Sequence, residues 1–145
     1  MIVLLVNSGE LLVLRVDRGE AVMPAFCRAL EESGAASLFV ASAVGAFSRA
    51  EFGVFDIERD VFDPAPREGF LEVVSLAGNV VRRDGKPFAH IHAVCSNPDL
   101  TLFGGHLLSA ECGLTLEVSL LRSERELQRV RWPGQSATYL TCRES

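Results

Sequence analysis

The sequence predicts an α+β fold: a mostly antiparallel β-sheet core of about seven to nine strands with one main helix packed outside. Three observations carry this. Short apolar or alternating runs follow one another along the 145 residues, separated by turn residues such as Asp84-Gly85 and Pro133-Gly134. Only one segment, beginning near Ala21, has the 3.6-residue period of a clear amphipathic helix. Strands joined by turns rather than by helices argue against a doubly wound parallel sheet. At 48% hydrophobic, the chain has material for one domain over residues 1–145, burying roughly two thirds of its unfolded surface.

The elements follow in order. Ile2 to Val6 and Leu11 to Val16 are β-prone runs around Asn7-Ser8-Gly9-Glu10, a hairpin turn. Val22, Phe26, Ala29 and Leu30 then share a helical stripe, and Gly34 stands where a left-handed C-cap is wanted. Pro24 is tolerated only in a first turn, so the helix starts at Ala21 or Val22. Met23 and Cys27 are packing residues of that helix. Ser37 to Val44 is a buried strand ended by Gly45, and Arg49 to Phe55 is a separate, half-exposed one. Asp56 to Val61 is a turn and strand edge, and Asp63-Pro64-Ala65-Pro66 is expected to forbid regular pairing.

Phe70 to Leu76 alternates, Gly78-Asn79 suggests a bulge or bend, and Asp84-Gly85 is a tight turn. Beyond a loop at residues 96–99, a strand over 101–112 is expected to break at Gly113, with another strand from Leu114 to Leu121. Ser123 to Arg129 is charged and helix-tolerant, Trp132-Pro133-Gly134 is a turn, and Thr138 to Cys142 is a closing strand.

Composition removes several function classes. The net charge of -5 works against phosphate-driven binding to a polyanion. Of fourteen basic residues only Lys86 is a lysine, and the arginines are scattered among acids. The four cysteines, Cys27, Cys95, Cys112 and Cys142, form no C-x-x-C pair, so reduced thiols are expected. The apolar start, Met1 to Val6, is too short for a signal peptide or membrane span, which predicts a cytoplasmic protein with no membrane partner. No dinucleotide fingerprint, P-loop, nucleophile elbow or H-E-x-x-H occurs.

The chemistry concentrates in one stretch. All three histidines, His90, His92 and His106, lie within seventeen positions. His90 and His92 are separated by one residue, so on a strand both leave the same face, about 6.6 Å apart. A loop then turns the chain back, and His106 arrives behind Gly104-Gly105 on a second strand, where a hairpin sets it beside the pair. Three imidazoles with an open position suit zinc or another divalent transition metal; a hydrogen-bonded cluster or subunit-contact patch is the alternative. No fourth ligand stands out. Cys95 has the wrong parity, Cys112 is six residues from His106, and Glu72, Glu111 and Glu117 are candidates to orient an imidazole without any one being singled out by spacing. No catalytic or cofactor-binding residue is assigned.

The chain resembles the plants-and-prokaryotes-conserved (PPC) domain from Leu11 to Leu121. The residues that carry this are Val13-Leu14-Arg15, Arg18-Gly19-Glu20, Gly45, and Gly69 to Asn79. They continue in Asp84-Gly85-Lys86-Pro87-Phe88-Ala89-His90-Ile91-His92 and Phe103-Gly104-Gly105-His106-Leu107. The resemblance implies an antiparallel sheet core and a homotrimer. In plants the domain accompanies AT-hooks, which is why related proteins carry DNA-binding labels. An AT-hook needs an Arg-Gly-Arg core among basic residues, and Arg15-Val16-Asp17-Arg18-Gly19 is not one. The fold is also similar to that of acetolactate decarboxylase, a zinc enzyme with a His-x-His pair and a later histidine, which implies His90, His92 and His106 as ligands.

Two readings follow, with a third beside them. The first is a metal-binding PPC-domain trimer acting in transcription or as an interaction module. The second is a zinc-dependent lyase or hydrolase on a small oxo-acid or ester, for which Arg15 or Lys86 could serve as the anion-binding group, the alternative for each being an exposed or ion-paired residue. Direct DNA binding is the third, and it would have to use Arg82, Arg83 and Lys86, the only short basic cluster on a turn.

Overall fold

The computed structural model describes residues 1–5 and 10–143, with backbone alone for residues 2–5. Val6 and the turn residues Asn7, Ser8 and Gly9 lie outside the described residues. The chain order is β1 (Ile2–Leu5), β2 (Leu11–Asp17), α1 (Val22–Ser33), β3 (Ser37–Asp56), β4 (Val61–Arg83), β5 (Lys86–Ser96), β6 (Leu102–Ser123), β7 (Leu127–Arg131) and β8 (Thr138–Cys142). All eight strands join one sheet in the order β1-β2-β6-β3-β4-β7-β8, with β5 pairing both β4 and β6. Every pairing is antiparallel except β4 with β7. Because β3 and β5 each pair with both β4 and β6, these four strands close on themselves.

Three expectations are corrected. First, the run from Ser37 to Asp56 is one strand, not two. Gly45 bends it without ending it: its φ is 150°, and a Cβ there would stand 2.1 Å from the Thr115 carbonyl oxygen on β6. Gly113 likewise does not break β6, because it is the close-approach point on the other side, where a Cβ would lie 2.7 Å from Phe47 backbone. In both places glycine admits a neighbouring backbone.

Second, Pro64 and Pro66 pair in register with Gly53 and Glu51. They share parity, and this part of β4 has β3 as its only strand neighbour among the described residues. Two missing N–H donors on the unpaired edge remove no ladder bond. Third, the charged segment after Ser123 turns at residues 124–126 and enters β7, a short strand whose Gln128 and Arg129 lie parallel to Arg82 and Arg83.

The helix follows its sequence closely. It starts at Val22 behind an extended Ala21, carries Pro24 in its first turn, and ends at Gly34 with φ 68°. Val22, Ala25, Phe26, Ala29 and Leu30 are buried against the sheet. With Leu12, Leu14, Phe47, Ile91, Leu107 and Leu116 they form one core, in which each large side chain contributes about 1.5–3 kcal/mol by leaving water. No described helix is long and apolar enough to cross a membrane.

Candidate metal centre

The turn before β5 sets the register of the site. Asp84 and Gly85 have φ of 52° and 78°, the paired positive values of a two-residue type I′ hairpin, and Arg83 faces Lys86 across it. From that fixed point Asn79 lies opposite His90 and Ala77 opposite His92. On the other edge of β5, His92 lies directly opposite His106 on β6. Period-two alternation along β5 and the cross-strand pairing thus send all three rings to one face.

The rings converge. Their centroids are 5.2 Å apart for His90 and His92, 5.1 Å for His90 and His106, and 5.4 Å for His92 and His106. One nitrogen of each falls within 4.8 Å of the others, a spread that lean and rotation about χ1 and χ2 can gather onto one ion about 2 Å from each nitrogen. His90 and His106 are half-buried and His92 is exposed.

Two glycines let the strands come this close. A Cβ at Gly78 would meet the His90 carbonyl oxygen at 1.9 Å, and one at Gly104 would meet the Ala93 carbonyl oxygen at 2.1 Å. The Phe62 ring stacks on His106 at 4.4 Å with planes inclined by 19°, so the β3–β4 hairpin also bears on the site.

The electrostatics suit a cation bound by neutral imidazoles. Burial lowers the His90 pKa to about 4, helped by the positive charge of Arg129 and by the other two histidines. His106 shifts in the same direction, from burial, His92 and Arg129. No carboxylate or thiol joins the cluster among the described residues. Glu111 accepts from the Ser48 hydroxyl at 2.9 Å and pairs with Arg49, while Glu72 and Glu117 are exposed. The Cys112 thiol donates to the Val16 carbonyl, and burial pushes the Cys95 thiol up to about 11. Nitrogen-only donors fit zinc and its transition-metal neighbours, and not the oxygen-seeking magnesium or calcium.

A cavity of about 740 Å³ opens beside His90 and His106, its walls including Met23, Cys27, Phe55, Phe62 and Leu108. Met23 and Cys27 pack against the core as expected of helix residues, and they also face this space. Arg15 and Lys86 take the ion-paired and exposed states that are the alternative to anion binding: Arg15 is held by Asp17 on β2, Lys86 is exposed on its turn, and neither lines the cavity. The cations near the histidines are Arg83 and Arg131 on the wall and Arg129 behind it. Arg83 lies 3.6 Å from the centroid of Phe88, so this member of the basic cluster is turned to the cavity wall. Arg129 was invisible in the sequence, since it reaches the site only through the parallel β4–β7 pairing.

The sequence matches the profile of the Plants and Prokaryotes Conserved (PCC) domain over residues 5–123. The chain belongs to this family. Among solved structures, a metal-containing protein from Archaeoglobus fulgidus is 30% identical, with 91% of this chain and 93% of that one covered at a TM-score of 0.80. A plant- and prokaryote-conserved (PPC) protein from Pyrococcus horikoshii is 25% identical over 84% of this chain and 85% of its own, at 0.77. A Ralstonia eutropha JMP134 protein provisionally called DNA-binding is 24% identical over 90% of each chain, at 0.83, a likeness of fold. No match is found among curated proteins.

Proposed function

We propose that this PCC-domain protein holds one divalent transition metal ion, zinc foremost, on His90, His92 and His106, and works in the cytoplasm as a homotrimer, in transcription or as an interaction module. The observation that carries the metal reading is the convergence of three imidazole nitrogens within 4.8 Å in a set free of carboxylates. The metal-containing Archaeoglobus fulgidus relative supports it. Exposed Val44, Phe70, Val74 and Leu114 supply apolar surface that partner copies would cover. The net charge of -5 and the placement of Arg83 on the cavity wall weigh against direct contact with duplex phosphates.

Elemental analysis of chain purified without chelator or affinity metal tests the site. About one ion per chain is expected, with loss of it in His92→Ala and His106→Ala. Protein that carries no metal and takes up none from zinc solution overturns the reading. Sedimentation equilibrium tests the trimer, and a gel shift on duplex DNA at low salt tests direct DNA binding, where no shift is expected.

The cavity favours a second reading, a metal-dependent lyase or hydrolase acting on a small oxo-acid or ester. A bound divalent ion would supply Lewis-acid polarisation of a carbonyl or a more acidic water. The chain's own contribution would be an open face between His90 and His106, apolar walls that exclude water, and nearby guanidinium charge. Turnover of a small oxo-acid that disappears in His92→Ala separates this reading from the first.

A further inference from the structure

Two of the three arginines around the histidines, Arg83 and Arg129, have no acidic partner among the described residues, and only Arg131 is ion-paired, to Asp84. Arg129 is only 8% exposed, and its guanidinium donates to two neutral acceptors, Asn79 Oδ1 at 3.3 Å and Thr138 Oγ1 at 3.4 Å. Its Nε has no hydrogen-bond partner. Arg83 stands next to it in the parallel β4–β7 register, two like charges side by side. A buried guanidinium without a counter-ion is costly to keep, and in a chain of net charge -5 acids are not scarce.

The neighbouring cavity supplies both a place and a shape for the missing anion. Thr138, which accepts from Arg129, lines it, as do His90 and Arg83. The lining is otherwise largely apolar and aromatic, including Met23, Pro24, Cys27, Phe55, Phe62 and Leu108. A volume of about 740 Å³ is in the range of sites that enclose small organic ligands.

We propose that this cavity binds a small organic acid with an apolar or aromatic body, its carboxylate lying between Arg83 and the three-histidine centre in the field of Arg129. A planar carboxylate matches the guanidinium fork, which a hydrated mineral anion has no apolar body to exploit. The proposal deepens the metal reading and rests on it for the second pole of the site, since an ion on neutral imidazoles adds two further positive charges facing the same space.

Calorimetric titration of the zinc-loaded full chain with phenylacetate tests it, with phenylacetamide as the neutral isostere. The acid is expected to bind at least about tenfold more tightly than the amide. Arg83→Gln and Arg129→Gln should each lose about tenfold for the acid and leave the amide unchanged. Arg129→Lys keeps the charge and guards against a fold defect in the glutamine variant. Equal binding of acid and amide, no binding of the acid, or arginine variants that keep wild-type affinity would each overturn the proposal.

Metal content measured on every sample separates the two readings. Arginine variants should retain their zinc, whereas His92→Ala should lose it. Chain that takes up no metal yet binds the acid through Arg83 and Arg129 sinks the metal reading and upholds the anion site; chain that does neither sinks both.

Discussion

Two of the three ladders that strand β6 makes, those with β5 and β3, differ in regularity. Against β5 it runs from His92↔His106 to Ser96↔Leu102 with no register shift. Against β3 the same strand shifts register four times, between Val40 and Ser42, Gly45 and Phe47, Phe47 and Arg49, and Glu51 and Phe52. His106 belongs to both, opposite His92 on one side and Gly53 on the other. Bulges on the β3 side give the long strands the curvature that closure needs. The regular side keeps the cross-strand distance on which three converging imidazoles depend. Deformation and chemistry are thus placed on opposite edges of one strand.

The largest expected effect breaks the regular side at its ligands. Metal-loaded protein should unfold about 4 kcal/mol harder than metal-free protein when free zinc is about a thousand times its dissociation constant. His92→Ala should erase that difference while changing the metal-free stability little, because His92 is exposed. Thermal melts with and without zinc check this, and a zinc-dependent gain that survives the substitution would move the site elsewhere.

Next come the two ladders themselves. Gly104→Ala puts a Cβ 2.1 Å from the Ala93 carbonyl oxygen on the regular side, and Gly45→Ala puts one 2.1 Å from the Thr115 carbonyl oxygen on the bulged side. Both should cost roughly 2–4 kcal/mol in urea unfolding. Only Gly104→Ala should also weaken zinc binding, since it pushes β5 from β6 beside His92 and His106. Equal loss of zinc in both would dissolve the contrast between the edges.

What was legible in the sequence divides along the same line. A hairpin turn of Asp84-Gly85 and the spacing of His90 and His92 are local facts, and period-two geometry converts them directly into a shared face. The helix was equally readable, because Pro24 and Gly34 bracket it. The bulged side was not: Gly45 and Gly113 look like breakers in one dimension, and only the neighbouring backbone shows that they are contact points. Pro64 and Pro66 misled for a similar reason, since their cost depends on whether the other edge of β4 is paired. Arg129 was the least accessible, being brought in by a five-residue strand through a parallel, non-local pairing. The fold's identity came through motif resemblance, whereas the charge balance of the cavity came only through tertiary structure.

A smaller effect tests the electrostatics of the regular side. His90 has a folded pKa of about 4, depressed from an ordinary value of 6.5. A depressed value means that the unfolded chain binds the proton more readily, so stability in the metal-free protein is full above about pH 6.5 and is lost as pH falls toward 4. For this half-buried ring, solvent screening reduces the loss to about 1–2 kcal/mol. His90→Gln should flatten that part of the metal-free stability profile, with His106 leaving a residual slope of the same sign. A profile unchanged by the substitution would assign the acid lability to other groups.

The smallest expected effect asks how much the irregular side contributes to the site. Phe62, reached through the β3–β4 hairpin, stacks on His106, and Gly53 leaves room for it: a Cβ at Gly53 would meet the Phe62 ring at 2.7 Å. Phe62 is 40% exposed, so its removal opens no large buried void. Phe62→Ala should therefore cost about 0.5–1.5 kcal/mol in stability, and it should weaken zinc by up to about tenfold through loss of ring orientation. Phe62→Tyr should preserve the stack and both properties. Competition with a chromogenic zinc chelator measures the affinity. Wild-type zinc binding in Phe62→Ala would show that the β5–β6 ladder alone orients His106, and a loss as large as that of His106→Ala would make the hairpin an equal partner in the centre.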